Sequence, residues 1–203
     1  MNKPLAEILR PQSLDEYVGQ KHLVGEDAIL RKAIEKGDIP SMILWGPPGV
    51  GKTTLANIIA DTLSVPFYNL SAINSGVKDV REVIERASKT ANAVLFVDEI
   101  HRFSKNQQDS LLGAVEQGIV RLIGATTENP SFEVITPLLS RCQVYVLKSL
   151  EKEDLLELLD RALTKDEHIR SLNIELKETE SILRYSGGDA LKGNTRPHPE
   201  HDG

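Results

Sequence analysis

The chain has 203 residues, 40% hydrophobic and 27% charged, which allows one sizeable domain with a core of its own and a small appendage. A formal net charge of -6 and a sequence pI of 5.4 exclude a protein that coats DNA by bulk charge, although not one with a local basic patch. The lone Cys142 cannot form an internal disulfide, no segment reaches bilayer-spanning length, and the opening "MNKPLAEILRPQ" lacks an apolar run of signal-sequence length, so the expectation is a cytoplasmic protein without a membrane partner.

In chain order, short apolar runs stand at "SMILWG" (41–46), "VPFYNL" (65–70), "AVLFVDE" (93–99), "VRLIGAT" (120–126) and "CQVYVL" (142–147), where Cys142 reads as a small core residue on a strand. Between the second and third, Val77, Val80, Ile84, Ala87 and Ala91 share one face of a predicted helix, with Lys78, Arg81, Glu82, Glu85 and Arg86 on the others. Such alternation predicts an α/β fold, a five-stranded parallel sheet flanked by helices. After Leu147 the pattern turns helical, with Leu155, Leu158, Leu159, Ala162 and Leu163 in helical spacing and "ETESILRYS" as a further helix. The expected organisation is therefore an α/β domain over 1–148, a small helical domain over 149–190 and a disordered tail over 191–203, where Pro197 and Pro199 forbid a helix. His198 and His201 lie on that tail without a third ligand and read as solvated.

The first run leads into "GPPGVGKTT", comprising Gly46, Pro47, Pro48, Gly49, Val50, Gly51, Lys52, Thr53 and Thr54, with the spacing G-x-x-x-x-G-K-[ST]. Strand before and helix after are the context this motif requires. Glycines let successive backbone N–H groups turn inward around phosphate oxygens, and the helix N-terminus adds partial positive charge. Lys52 then reaches the β and γ phosphates of ATP, and the Thr53 hydroxyl binds Mg²⁺.

The third run ends in Asp98 and Glu99. Adjacent carboxylates at a strand's end point to different faces and can hold different tasks: Asp98 on Mg²⁺, Glu99 polarising the water that attacks the γ-phosphate. His101, two residues on, reads as a packed or exposed neighbour rather than a base. Farther along, "TPLLSRCQV" sets Arg141 where no neighbour in sequence looks like its ligand.

With these motifs the chain resembles the AAA+ ATPases of the clamp-loader-like branch, from about residue 4 to residue 190. "SMILWGPPG", "SAINSGVKDVREVIE", "FVDEIHRFSKNQQD", "GATTENPSFEV" and "LLSRCQVYVLKSL" together are similar to the RarA family, bacterial replication-associated recombination proteins related to the Werner-helicase-interacting ATPase. The resemblance implies that Thr127, or its neighbour Thr126, senses the γ-phosphate. It places Arg10, Pro11, Tyr17 and Val18 beside the adenine, although Tyr17 and Val18 equally suit ordinary core contacts. It makes Arg141 a finger that projects to the ATP of the next subunit of a homo-oligomer, and it implies DNA and replication proteins as partners. Lys78, Arg81, Arg102 and Lys105 are candidate phosphate-backbone contacts, with solvated charge as the plainer reading of each.

The departure comes after "SGGDA", where Leu191 stands in place of the second-sensor arginine that the resemblance implies. The expected function is thus the ATP-hydrolysing core of a replication-associated, DNA-dependent ATPase, with a nucleotide-binding module without turnover as the alternative. A protein-unfolding ATPase is disfavoured, because residues 1–40 hold no substrate-receiving domain and no aromatic pore loop is evident.

Overall fold

The computed structural model describes residues 10–165. The apolar runs form β1 (Met42–Trp45), β2 (Phe67–Ser71), β3 (Ala93–Asp98), β4 (Val120–Thr126) and β5 (Gln143–Val146). All pair in parallel in one five-stranded sheet of order β2-β3-β4-β1-β5. The central β3 and β4 are almost wholly buried, as expected of runs such as "AVLFV" that need cover on both faces. Helices α1 (Lys21–Val24) and α2 (Ile29–Lys36) precede the strands, and α3 (Lys52–Leu63), α4 (Val77–Ser88), α5 (Lys105–Glu116), α6 (Pro130–Glu133), α7 (Thr136–Leu139) and α8 (Lys152–Lys165) connect or follow them.

The chain comprises two compact units. One is made of Lys21–Gly46 and Lys52–Leu147 and contains the entire sheet. Its core joins Ile43, Leu95, Val97 and Leu122 of the strands with Val80 and Val83 of α4, Leu111 of α5 and Leu138 of α7. Ser104 opens α5 with a reciprocal cap: its Oγ accepts from Gln107 N (3.2 Å), while Gln107 Oε1 accepts from Ser104 N (2.7 Å). Two details depart from the expected pattern. Helix α4 ends at Ser88, because Thr90 folds back on Ala87 O through both its N–H and its hydroxyl, each at 3.0 Å, and Asn92 then takes φ +58°. Ala91 is accordingly exposed and Val83 occupies the inner face instead. Cys142 lies one residue before β5, half-buried, where burial pushes its thiol up to about 11.

The other unit holds residues 10–20, Pro47–Gly51 and the described residues from Lys148 onward. Gln20, buried, pairs with the backbone of Lys148 in both directions, its Nε2 donating to the carbonyl (2.7 Å) and its Oε1 accepting the N–H (2.9 Å). A side chain at Gly19 (φ +80°) would meet Leu150 Cδ2 at 2.8 Å. Leu155, Leu159 and Ala162 of α8 are buried in the helical spacing that the sequence carries, and Arg161 bonds the Glu16 carbonyl and Glu157. The predicted helix "ETESILRYS", Leu191, His198 and His201 lie outside the described residues. Among the described residues no helix is long and apolar enough to cross a membrane.

Candidate active site

Strands β1, β3 and β4 run parallel, with β4 between the other two, so Gly46, Asp98 and Thr126 stand at the same, carboxyl edge of the sheet. That edge is where open α/β sheets bind ligands. Gly46 follows β1 and donates its N–H to Thr126 O (3.1 Å). A Cβ there would lie 2.6 Å from Leu147 O, so only glycine fits. Lys52 begins α3, and its ammonium, half-buried, donates to Gly46 O at 2.6 Å. Burial lowers the Lys52 pKa, and the Asp98 carboxylate opposes that shift. Thr53 and Thr54 follow in the first turn of α3, each half-buried.

The loop Pro47–Gly51 belongs to the other unit. Gly49 and Gly51 take φ +76° and +97°, a backbone path that side chains resist. Pro47 and Pro48 are exposed, and Val50 is buried. The Tyr17 hydroxyl lies within donating distance of Gly51 O (3.0 Å) and Val50 O (3.2 Å), and a Cβ on Gly51 would come 2.8 Å from it. Burial raises the Tyr17 pKa, so it stays a neutral donor buttressing the loop from behind. Val18 is buried, Pro11 half-buried and Arg10 exposed in the same unit.

Asp98 closes β3, and its Oδ1 accepts the N–H of Glu99 (3.0 Å). Glu99 adopts left-handed geometry, φ 51° and ψ 47°, a conformation that costs a non-glycine residue about 1–2 kcal/mol. Glu99 has already left the strand, so strand alternation does not set its direction relative to Asp98. Its Oε2 stands 3.7 Å from Arg102 Nε. At the end of β4, Thr126 is buried and its hydroxyl is saturated: it shares a 2.9 Å hydrogen bond with His101 Nδ1 and accepts from Glu128 N at 3.0 Å. Thr127 is exposed. His101 is half-buried, as the partner of Thr126.

Arg141 lies at the opposite edge. It sits two residues before β5, whose Gln143 pairs with Met42 at the start of β1. Its Nη1 donates to Pro137 O (2.7 Å), and its Nη2 meets Glu116 Oε1 at 2.5 Å. The arginine thus has an ion-pair partner that its own sequence neighbourhood does not reveal.

Gln108 is a polar residue that sequence reading passed over. It is buried in α5, donates from Nε2 to Phe103 O (3.1 Å) and Glu133 O (2.9 Å), and accepts from Ile135 N at 2.8 Å. It ties the turn after Glu99 to the segment that enters α7. The signal was available: Gln108 shares the helical spacing of Leu111, Leu112 and Val115, and a polar residue on such a face needs a partner.

Among the described residues no group of three or more His, Cys, Asp or Glu side chains could hold a metal. The oxygen donors Thr53 and Asp98 suit Mg²⁺ of the kind that completes its shell with water and substrate phosphate.

Residues 42–150 match the ATPase family associated with various cellular activities (AAA). The chain is 52% identical over 192 residues to replication-associated recombination protein A of Coxiella burnetii, covering 92% of this chain and 44% of that protein. It is 53% identical over 165 residues to the Escherichia coli protein of that name, covering 79% and 37%. The chain therefore spans less than half the length of these relatives. Its fold is similar to the Thermotoga maritima RuvB Holliday junction branch migration motor, with TM-score 0.76 and 31% identity over 92% of this chain and 63% of that one.

Proposed function

Because the chain belongs to the AAA family of ATPases, we propose that it is the ATP-binding and ATP-hydrolysing core of a replication- and recombination-associated assembly, in which each subunit's ATP is cleaved with help from its neighbour's Arg141. The observation that carries the reading is the division of charge across one sheet. Lys52 and Asp98, electrostatically coupled, stand at its carboxyl edge, and Arg141 stands at its amino edge. At about 3.3 Å of rise per residue, a four-residue strand keeps these edges more than about 10 Å apart, out of a guanidinium's contact range. An arginine so placed serves a phosphate on another copy.

In this reading the contiguous segment Gly46–Thr54 takes the triphosphate on its backbone N–H groups and on Lys52, while Arg10, Pro11, Tyr17 and Val18 lie beside the adenine. Thr53 and Asp98 would hold Mg²⁺, which would supply neutralisation of the phosphate charge. Glu99 orients and deprotonates the attacking water from its left-handed backbone. Thr127 is exposed and has the freer hydroxyl, whereas that of Thr126 is consumed internally, which favours Thr127 as the γ-phosphate sensor. DNA and replication proteins are the proposed partners, by analogy with the named relatives. Lys78, Arg81, Arg102 and Lys105, all exposed, are the proposed backbone contacts.

The test uses the full-length protein. Lys52→Ala disables a subunit's own site, and Arg141→Ala disables its neighbour's. Each variant alone should retain at most a small residual turnover, yet a mixture should recover part of the activity, because some interfaces pair an intact loop with an intact arginine. A mixture as inactive as its components, with mixed oligomers demonstrated, removes Arg141 from the mechanism. Leu191, where the resemblance implies an arginine, favours a second reading of this chain as a binding module. Steady-state ATPase measurements on the chain itself, with and without forked DNA, separate the two readings.

A further inference from the structure

We propose that Glu116 is the positioning residue for Arg141: its carboxylate holds the guanidinium in the orientation in which it meets a neighbouring copy's phosphates. The inference rests on the reading of Arg141 as an arginine that acts in trans, and it deepens that reading. Glu116 is the last residue of the 12-residue helix α5, where a carboxylate faces the negative end of the helix dipole and no basic residue occupies the last turn. That is a poor place for an acid on helix grounds alone. Stability does not account for it either, since the side chains of Arg141 and Glu116 are 41% and 40% exposed, and ion pairs this open contribute little.

The geometry supplies a different reason. Glu116 Oε1 engages Nη2 at 2.5 Å, Pro137 O engages Nη1 at 2.7 Å, and Ser140 Oγ stands 3.5 Å from Nη1. The guanidinium is planar, with five N–H donors. Its Nε has no partner among the described residues, and donors remain over once these contacts are made. The side chain lines an open groove of about 580 Å³ together with Asp38, Glu116 and Arg121. Arg141 is thus fastened on one side and keeps unused donors for an anion. A long side chain restrained before the encounter loses less freedom when a neighbour's phosphates arrive, and correct orientation of one charged group is worth large factors in rate.

The experiment compares Glu116→Ala, Glu116→Gln, Arg141→Ala and the double variant Glu116→Ala/Arg141→Ala in the assembled full-length protein. Glu116→Ala should lower kcat roughly ten- to a hundredfold, with KM for ATP and the melting temperature unchanged. Glu116→Gln, whose amide oxygen still accepts an N–H, should recover part of the loss. In the Arg141→Ala background, Glu116→Ala should have no further effect. In mixtures, Lys52→Ala subunits rescue Arg141→Ala subunits, and Lys52→Ala/Glu116→Ala subunits should fail to. Wild-type or raised kcat in Glu116→Ala, a loss that persists without Arg141, or a matching fall in melting temperature each overturns the proposal and leaves the trans reading standing. Normal hydrolysis by Arg141→Ala instead overturns the trans reading itself.

Discussion

The two edges of the sheet are built by different rules. At the carboxyl edge, polar groups are held in place by backbone and neighbouring side chains: half-buried Lys52 on Gly46 O, buried Thr126 between His101 and Glu128, and Glu99, 37% exposed, in a left-handed turn. At the amino edge the charged groups pair with one another, exposed Arg141 with exposed Glu116 and half-buried Arg121 with exposed Asp38. Groups held in place are preorganised for chemistry that happens within one chain. Exposure suits a group whose partner lies on another chain. In the proposed mechanism, one strand layer separates what a subunit does for itself from what it lends.

The sharpest way to break this contrast is at Glu99. Glu99→Gln should keep ATP binding, measured by calorimetry, and lower turnover by roughly 10² to 10⁴, because the amide cannot take the water's proton. Equal turnover would strip the carboxyl edge of its proposed base.

Within that edge, the two threonines should behave differently. Thr126→Val removes the hydroxyl that the part-buried Glu128 N–H and His101 Nδ1 meet and should cost about 0.5–1.5 kcal/mol in chemical denaturation. Thr127→Val should leave the denaturation midpoint in place and show its effect in turnover. The reverse pattern would make Thr126 the sensor and Thr127 a bystander.

At the amino edge the expected effect on stability is smallest. Arg121→Ala removes a 3.6 Å pair with the exposed Asp38 and a 3.3 Å bond to Gly37 O, and should shift stability by no more than about 0.5–1 kcal/mol with ATP affinity intact. A larger loss would mean that the amino edge contributes to the fold as strongly as the carboxyl edge does, and the contrast between them would collapse.

Much of the fold was legible because its signals are local. Each apolar run became a strand within two residues of its expected bounds, the central β1, β3 and β4 because they are buried on both faces, and the edge strands β2 and β5 although they are only partly buried. The phosphate loop was equally plain, as glycines at 46 and 51 are demanded by backbone crowding and positive φ next to a lysine at a helix start. The end of α4 was misjudged by the same local logic, because the side chain of Thr90 outcompetes the helix for Ala87 O.

What sequence by itself determined was therefore the inventory: strands, loop, paired carboxylates, and an arginine without a visible purpose. Tertiary structure alone decided that β4 lies between β1 and β3, that Thr126 spends its hydroxyl on His101, and that Arg141 faces Glu116 from the far edge of the sheet. Those partners lie 25 residues apart in each pair, and no periodicity or turn rule reaches that distance. Their meeting depends on how helices pack on the sheet, a balance of burial summed over the whole core, and a pair of charges contributes too little to be read in advance.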